Sequence, residues 1–372
     1  MRIRCEYDAF TPWRDVLPYY EGKRVLVTGH TGFKGAWLCR ILLDAGAEVT
    51  GYALEPPTQP NLYDLCELHK DIRSFLGDVR DLSYLKQVFD QVRPEIVFHL
   101  AAQPIVREGY RDPVGTYSTN VMGTVHLLEC VRQSDSVESV VNVTTDKVYQ
   151  NREWVWGYRE PDRLDGYDPY SNSKSCAELV SGCYVRSFLA QSGIPVSTLR
   201  AGNVIGGGDF APDRILPDCI RAALEGQPIQ VRNPGSVRPY QHVLEPLMAY
   251  LLVAKRQAED PAIAGSYNVG PDDADCVTTG ELASLFCAAW GERVSWTYPG
   301  QLHTPHEANM LRLDCSKMKS VLGWRPLWNV SEAVRQTVAW TRVWQTHGDI
   351  KDEMCREIQL YQESMLTLAA PQ

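Results

Sequence analysis

Short segments rich in β-branched residues alternate with amphipathic stretches through the first two hundred residues of the chain. Strands are expected at 24–28, 48–53, 72–76, 96–99, 139–144 and 196–200, and helices between them at 36–45, 82–91 and 116–132. Such alternation is typical of a parallel sheet with helices on both faces. The sequence therefore predicts an α/β fold with a doubly wound parallel sheet.

Three glycines lie directly between the first expected strand and the first expected helix. Glycines at such a turn let the backbone approach a pyrophosphate, which sits on the free N–H groups at the positive end of the helix. The spacing is Gly-x-x-Gly-x-x-Gly, whereas the common dinucleotide motif is Gly-x-Gly-x-x-Gly. We expect a Rossmann-like sheet that binds a dinucleotide through Gly29, Thr31, Gly32, Phe33, Lys34 and Gly35.

Further cofactor contacts are expected where other strands end. Asp78 follows the third strand and can accept a hydrogen bond from an adenine amino group. The remaining expected contacts are Val79, Ala101, Ala102, Gln103, Asn120, Thr144, Tyr170 and Lys174. No Arg lies between residues 49 and 58 to bind a 2′-phosphate, so NAD is favoured over NADP, although Glu55 lies two residues beyond the usual ribose-binding position.

The pattern changes after residue 200, where Gly, Pro and Arg become frequent and helices are expected at 213–224, 245–258, 279–290 and 330–344. We interpret 201–238 and 275–345 as a smaller, loop-rich α/β unit that binds the substrate. The dinucleotide-binding unit is expected at 23–200, with 239–274 returning to it through a strand at 266–269. Residues 1–22 are then an N-terminal extension and 346–372 a C-terminal tail.

Composition argues against several classes of function. The 46 carboxylates outnumber the 37 Lys and Arg, and the net charge of −9 disfavours binding to nucleic acids or acidic membranes. No apolar run has the length of a membrane span and no signal sequence is evident, so a cytoplasmic protein is expected. Eleven scattered cysteines indicate free thiols. No metal site is expected, because Pro305 interrupts the spacing of His303 and His306.

Tyr170 and Lys174 form a Tyr-x-x-x-Lys pair directly after Pro169, a residue that commonly starts helices. On a helix the two side chains share one face. A Lys ammonium and an oxidised nicotinamide ring beside the phenol lower its pKa from about 10 towards neutrality. We therefore expect Tyr170 to take a proton from a sugar hydroxyl while hydride leaves for the cofactor.

The glycine loop, Asp78, the Ala-Ala-Gln stretch and the Tyr170/Lys174 pair, in this order, resemble the extended short-chain dehydrogenase/reductases. Longer strings make the resemblance narrower, since they are similar to the branch of nucleotide-sugar 4,6-dehydratases that act on CDP-glucose. These strings are 144–147, 151–158, 200–209, 232–234, 238–243 and 306–308. The chain departs from the family pattern at Val148, at Phe210 and at Asn309-Met310.

The resemblance implies a redox-neutral dehydration that uses NAD. Oxidation of carbon 4 of a hexose acidifies the hydrogen on carbon 5, the hydroxyl on carbon 6 leaves as water, and hydride returns to carbon 6. The implied catalytic residues are Thr145, Asp146, Lys147, Tyr170 and Lys174, with Asp146 as the acid for the leaving hydroxyl. Lys147 stands where relatives have a Glu base, so it is either a neutral base or a protonated charge partner of Asp146.

Arginines are frequent from the end of the first unit onwards, at Arg200, Arg214, Arg221, Arg232 and Arg238. Guanidinium groups bind phosphate oxygens in a bidentate manner, which suits the diphosphate of a nucleotide sugar. With the resemblance, this predicts a substrate site formed by Asn203, Arg214, Arg232, Asn233, Arg238, His306 and Glu307. The expected partner is this small molecule, and the resemblance implies a homodimer.

Other interpretations stay open. An epimerase or reductase of the same family needs the same loop and Tyr/Lys pair, and a noncatalytic NAD-binding regulatory protein needs only the loop. Locally, three glycines also form an ordinary tight turn, and Asp146–Lys147 or any single Arg also forms an ordinary ion pair. The combination of all the motifs favours the dehydratase.

Overall fold

The computed structural model describes residues 15–291, 294–300 and 308–368. Its strands are β1 (Arg24–Thr28), β2 (Glu48–Ala53), β3 (Arg73–Leu76), β4 (Ile96–His99), β5 (Ser139–Val143), β6 (Val196–Ala201), β7 (Val204–Ile205), β8 (Ile229–Gln230), β9 (Val237–Arg238), β10 (Gln241–His242), β11 (Ser266–Val269), β12 (Val277–Thr278) and β13 (Trp296–Thr297).

Its α-helices are α1 (Phe33–Asp44), α2 (Leu62–Leu65), α3 (Leu82–Val92), α4 (Val106–Arg111), α5 (Pro113–Tyr117), α6 (Gly123–Gln133), α7 (Pro169–Tyr184), α8 (Ile215–Leu224), α9 (Leu244–Glu259), α10 (Thr279–Trp290), α11 (Ser316–Leu322), α12 (Val330–Gln345) and α13 (Ile350–Leu368). No helix within the described ranges is both long and apolar enough to cross a membrane.

Seven strands form one parallel sheet in the order β11-β6-β5-β4-β1-β2-β3. The chain runs outwards from β1 to β3 and then crosses back to β4, on the other side of β1. Ligands bind in the crevice at the carboxyl ends of the strands where the order reverses in this way. The predicted doubly wound parallel sheet is confirmed, and the strand expected at 266–269 pairs in parallel with β6.

Both faces of the sheet are covered, which explains why its strands read as apolar runs. Val25 and Val27 of β1 pack with α1 and α9 on one face, whereas Leu26 packs with α3 and α6 on the other. A parallel strand buried on both faces lacks the alternation of apolar and polar residues seen in a half-exposed strand. A third apolar cluster, formed by α8, α10 and α12, lies in the part of the chain assigned to the substrate unit.

Two helical regions differ from expectation. The single helix expected at 116–132 is α5, a π-helical turn (Ser118–Met122) and α6 in succession. The region assigned to a tail contains α13, whose residues Ile350, Met354, Ile358 and Tyr361 are buried against neighbouring helices, among them α1 and α12. Their spacing of four, four and three residues is that of an amphipathic helix, a signal present in the sequence.

Candidate active site

The turn between β1 and α1 requires glycine at two positions. Gly29 has a φ of +78°, and a Cβ atom there would lie 2.8 Å from the backbone nitrogen of Ala101. A Cβ atom at Gly35 would lie 2.1 Å from the carbonyl oxygen of Gly29. Because these neighbours are backbone atoms, no side-chain movement relieves the contact. The chain can therefore form this turn only with glycine at both positions.

The first turn of α1 is open to an anion. Its N-cap, Gly32, supplies no side chain to the free N–H groups, and the first turn contains no acidic residue. A Cβ atom at Gly32 would have its nearest neighbour at 3.4 Å, while the hydroxyl of Thr31 donates to the carbonyl oxygen of Leu54 at 2.9 Å. The free N–H groups and the positive helix end therefore fit the pyrophosphate of a dinucleotide.

Asp78 lies at the same edge of the sheet, next to an arginine that the sequence analysis did not consider. Its carboxylate accepts hydrogen bonds from the Arg80 backbone N–H at 2.8 Å and from Nε at 2.9 Å. The hydrogen bonds from Arg80 hold the pKa of Asp78 below its usual range. The neighbouring Val79 is buried, and its carbonyl oxygen lies 2.9 Å from Nδ1 of His126. Asp78 is therefore a fixed anionic acceptor.

Asn120 uses its side chain within the protein. Oδ1 accepts from the Gln103 N–H at 2.8 Å, while Nδ2 donates to the Gln103 carbonyl oxygen at 3.1 Å and to Oγ of Ser173 at 2.9 Å. These bonds position the Ala101–Gln103 stretch against α7. The π-helical turn that carries Asn120 is a type of irregularity often found at functional sites.

The expected catalytic residues meet at the carboxyl end of β5. Thr145, Asp146 and Lys147 follow that strand directly, and Tyr170 and Lys174 lie one turn apart on α7. All except Lys147 are at least nine-tenths buried. The first three, together with Thr144 and Tyr170, line one cavity.

The helix that carries the Tyr/Lys pair begins where the sequence predicts. Pro169 is its first residue, and Asp168 caps it by accepting a hydrogen bond from the Ser171 N–H at 3.0 Å. Tyr170 and Lys174 therefore share one face of α7, as expected.

The Lys174 side chain lies beside Tyr170 on α7 but is bonded to the backbone of β5. Burial raises the pKa of Tyr170 to about 12, and a hydrogen bond from Thr145 and the charge of Arg214 act in the opposite direction. The Lys174 ammonium donates to the carbonyl oxygen of Val143 at 3.0 Å. Burial also lowers the pKa of Lys174 to about 8. The effect of Lys174 and an oxidised nicotinamide together on the pKa of Tyr170 stays a prediction.

Asp146 is a buried carboxyl group with one unpaired oxygen. Oδ1 accepts from the Thr145 hydroxyl at 3.0 Å, and Oδ2 has no hydrogen-bond partner among the described residues. Burial raises the pKa of Asp146, although the charge of Lys147 and the hydrogen bond from Thr145 oppose this. A carboxyl group with a raised pKa at a cavity wall is suited to donate a proton.

Lys147 is half-buried and lines two pockets. One is the cavity that Asp146 lines, and the other is a pocket of about 50 Å³ that also contacts Arg238. This position allows either expected role, the base at carbon 5 or the charge partner of Asp146.

A buried carboxylate that the sequence analysis missed supports this cluster. Glu178, one turn beyond Lys174 on α7, accepts hydrogen bonds from Thr144 Oγ1 at 2.5 Å, Thr198 Oγ1 at 2.7 Å and Arg200 Nη2 at 2.8 Å. Burial favours its neutral form, but these donors, Arg200 above all, hold the pKa of Glu178 below its usual value. Arg200 therefore links β6 to α7. Glu178 follows Lys174 by four residues, and this helical spacing was the sequence signal that could have placed Glu178 on the same face of α7.

The cavity has a volume of about 290 Å³ and is lined by five of the expected substrate residues, Asn203, Arg214, Arg232, Asn233 and Arg238. Arg214 pairs with Asp209 at 2.9 Å, and Arg238 donates to the carbonyl oxygens of Val237 and Ala308. His306 and Glu307 lie outside the described residues. Arg107, Asp213 and Tyr240 also line the cavity. Tyr240 belongs to the string 238–243, whereas no motif of the sequence analysis included Arg107 or Asp213.

Two departures from the family pattern lie in packed positions. Val148 is fully buried. Phe210 contacts Trp340 and Trp344, with ring centroids 6.2 and 5.1 Å apart. Neither Val148 nor Phe210 is among the residues that line the cavity.

Comparisons with known proteins agree with this geometry. A family model described as GDP-mannose 4,6 dehydratase matches residues 26–337. A CDP-glucose 4,6-dehydratase of Salmonella typhimurium is 49% identical over 349 residues, which cover 92% of this chain and 97% of that protein. A dTDP-glucose 4,6-dehydratase of the same organism is 26% identical, with coverage of 85% and 92%.

Solved structures share the fold. The dTDP-glucose 4,6-dehydratase of Bacillus anthracis in complex with NAD has a TM-score of 0.72 and 22% identity, covering 87% of this chain and 98% of that one. The UDP-glucose 4-epimerase of Thermus thermophilus in complex with NAD has a TM-score of 0.73 and 28% identity, with coverage of 86% and 98%. The family resemblance carried by the motifs is confirmed, and the chain belongs to the GDP-mannose 4,6 dehydratase family.

Proposed function

We propose that the protein is an NAD-dependent hydro-lyase that converts CDP-D-glucose to CDP-4-keto-6-deoxy-D-glucose and water. The observation that carries this proposal is the position of Thr145, Asp146, Lys147 and Tyr170 around one cavity. The 49% identity to a CDP-glucose 4,6-dehydratase supports the choice of nucleotide and sugar. The open first turn of α1 and two relatives solved with NAD support the cofactor.

The first half of the reaction uses Tyr170. When bound, NAD would supply the acceptor for the hydride of carbon 4 and the source of the hydride returned to carbon 6. Tyr170 Oη takes the proton of the 4-hydroxyl, and the positive charge of Arg214 favours the phenolate. Lys174 fixes the start of α7 against β5 through its bond to Val143, which keeps Tyr170 at the cavity wall.

The second half uses the residues that follow β5. Asp146 carries a raised pKa and an unpaired Oδ2, so it holds the proton that the 6-hydroxyl needs to leave as water. Lys147, in its neutral form, removes the proton on carbon 5, which the 4-keto group has made acidic. In its alternative role Lys147 stays protonated beside Asp146 and another group is the base.

Product masses test the proposal. Purified protein is incubated with NAD and with CDP-, dTDP-, UDP- or GDP-glucose, and the product of CDP-glucose is expected to be lighter than the substrate by one water. No NADH accumulates, because the hydride is returned. A product of unchanged mass would support an epimerase, and stoichiometric NADH would support a simple dehydrogenase.

We infer that the protein acts as a homodimer in the cytoplasm. Apolar side chains are exposed at Met122 in the π-helical turn before α6, at Leu179 on α7 and at Phe188 in a second π-helical turn (Val185–Leu189) that follows α7; they are 44%, 60% and 44% exposed. Exposed apolar side chains of this size are typical of protein interfaces, and the free thiol of Cys183 on α7 suits a reducing compartment. Sedimentation is expected to give a dimer for the wild type and a monomer for Leu179→Glu; a monomeric wild type would contradict the inference.

A further inference from the structure

Two arginines from different parts of the chain share one carboxylate oxygen in the cavity wall. Arg107 lies on α4, and Arg232 follows β8. Their Nη1 atoms lie 3.0 and 2.9 Å from Oδ1 of Asp213. All three residues line the cavity, and about one-third of each side chain is exposed. Neither Arg107 nor Asp213 is among the substrate residues expected from the sequence.

The charges at this point do not balance. Two guanidinium groups converge on a single carboxylate oxygen, and like charges this close repel each other unless sufficient negative charge lies between them. A second carboxylate, Asp218, is 4.0 Å from Arg232 but is also paired with Arg221. A ligand with more negative charge than one carboxylate is therefore favoured here, and guanidinium groups bind phosphate and carboxylate oxygens with the same geometry.

The backbone of Asp213 distinguishes this bridge from an ordinary surface ion pair. Its φ is +60°, in the left-handed region that only a few per cent of non-glycine residues adopt, with Asp and Asn the more tolerant of them. The next residue, Arg214, is the N-cap of α8 and pairs with Asp209. The turn thus directs one carboxylate between Arg107 and Arg232, where a phosphate oxygen could replace it.

We propose that Arg107 and Arg232 form the diphosphate subsite of the cavity and that Asp213 occupies this subsite until the substrate arrives. This rests on the proposed function, because it takes the ligand to be a nucleotide-diphosphate sugar. On binding, phosphate oxygens replace Asp213 Oδ1 on both guanidinium groups. Arg107 comes from the part of the chain with the glycine loop and Arg232 from the loop-rich part, so the bound diphosphate bridges the two.

Binding of nucleoside diphosphates tests the subsite without turnover. Calorimetry on the full-length protein with CDP, UDP, dTDP and GDP identifies the tightest of the four, which then serves as the probe. Arg107→Met is expected to weaken its binding at least tenfold. Asp213→Asn is expected to tighten it about threefold, because the competing charge is removed while Asn tolerates the left-handed backbone.

The matched control is Arg111→Met. Arg111 lies on the same short helix and pairs with Glu108, but its side chain is 78% exposed and does not line the cavity. Its replacement is expected to leave binding unchanged. Circular dichroism reports whether each variant is folded, and Arg107→Gln replaces Arg107→Met if the latter does not fold.

Weaker binding in Arg107→Met together with tighter binding in Asp213→Asn is what a carboxylate displaced by the ligand predicts. A structural ion pair predicts weaker binding in both variants, so an Asp213→Asn affinity equal to or below that of the wild type overturns the proposal. Unchanged binding in the Arg107 variant, or a wild type that binds none of the four probes, also overturns it. A wild type that binds UDP and dehydrates UDP-glucose would contradict the proposed substrate and leave the subsite intact.

Discussion

The cofactor end and the substrate end of the site hold their charged groups in different ways. Around α7 the ion pair is buried, since the side chains of Arg200 and Glu178 are 3% and 2% exposed. In the cavity wall the pair of Arg232 and Asp213 is 31% and 33% exposed. A buried pair is expensive to break because it leaves an unpaired charge in a low dielectric, whereas a partly exposed pair exchanges with water or ligand at little cost.

This difference shows what each end is built to do. Hydride transfer and proton transfer depend on reacting atoms held in a narrow range of geometry. Near Tyr170, Lys174 is bonded to the backbone and Glu178 to Thr144 and Arg200, all of them buried. Substrate binding depends on replacing one set of contacts by another. The end that carries the arginines has pairs that a diphosphate can replace.

The largest effect is expected from removing the phenolic oxygen of Tyr170. Tyr170→Phe should lower kcat about a thousandfold, because the 4-hydroxyl loses the group that takes its proton. Absorbance of enzyme-bound NADH after addition of CDP-glucose measures this step directly. Tyr184→Phe, on the same helix but away from the cavity lining, is the control. Normal formation of bound NADH in Tyr170→Phe would place the base elsewhere.

The second prediction concerns how much the buried pair of Arg200 and Glu178 contributes to the free energy of unfolding. Arg200→Met should lower the free energy of unfolding by about 3 kcal/mol, because the Glu178 carboxylate stays buried without its main partner. Urea denaturation followed by circular dichroism gives this value. A loss below about 1 kcal/mol would mean that the buried pair of Arg200 and Glu178 stabilises the fold no more than the partly exposed pair of Arg232 and Asp213.

The third effect separates the two roles of Lys147. Lys147→Met should retain reduction of bound NAD by CDP-glucose but slow the exchange of the carbon 5 hydrogen with deuterated solvent about a hundredfold, since the base is lost. Mass spectrometry of recovered sugar nucleotide follows the exchange. Near-normal exchange would assign Lys147 to the charge-partner role and move the base to Asp146 or a bound water.

The fourth prediction concerns the pH dependence of kcat, which we expect to follow the protonation of Lys174. Burial lowers the pKa of Lys174 from its usual value to about 8, so its ammonium is intact below pH 8 and is lost as the pH rises. The neutral amine donates a weaker hydrogen bond to Val143 than the ammonium does, so Tyr170 is held less firmly and kcat is expected to fall with rising pH above about 8. Lys174→Met should lack this alkaline decline. A profile that is flat to higher pH would show that the charge on Lys174 is not needed.

The smallest effect is expected on the free energy of unfolding when the partly exposed pair of Arg232 and Asp213 is broken. Arg232→Met should lower the free energy of unfolding by less than about 1 kcal/mol, because both members of its pair with Asp213 are about one-third exposed. The same urea titration used for Arg200→Met makes the two values comparable. A loss as large as that of Arg200→Met would remove the distinction between the two ends.

Local signals in the sequence were sufficient for much of the fold. The bounds of β1, β2 and β4 match the expected strands residue for residue, because a strand buried on both faces is an apolar run with clear ends. The start of α7 was equally clear, since Pro169 is a local start signal. The π-helical turn before α6 had no such signal, because the same residues suit an uninterrupted helix.

The sequence by itself determined the glycine turn and the placement of Tyr170 and Lys174 on one helix face, since both depend on neighbours within a few residues, and the alternation of strands and helices indicated the parallel sheet. Only the tertiary structure decided where the charges go. It directed the Lys174 ammonium to Val143, placed Arg200 on Glu178 rather than in the cavity, and brought Arg107 and Arg232 to Asp213. Whether a charged side chain is buried, and which partner it meets, depends on the packing of segments that are distant in the chain, and this information is absent from local spacing.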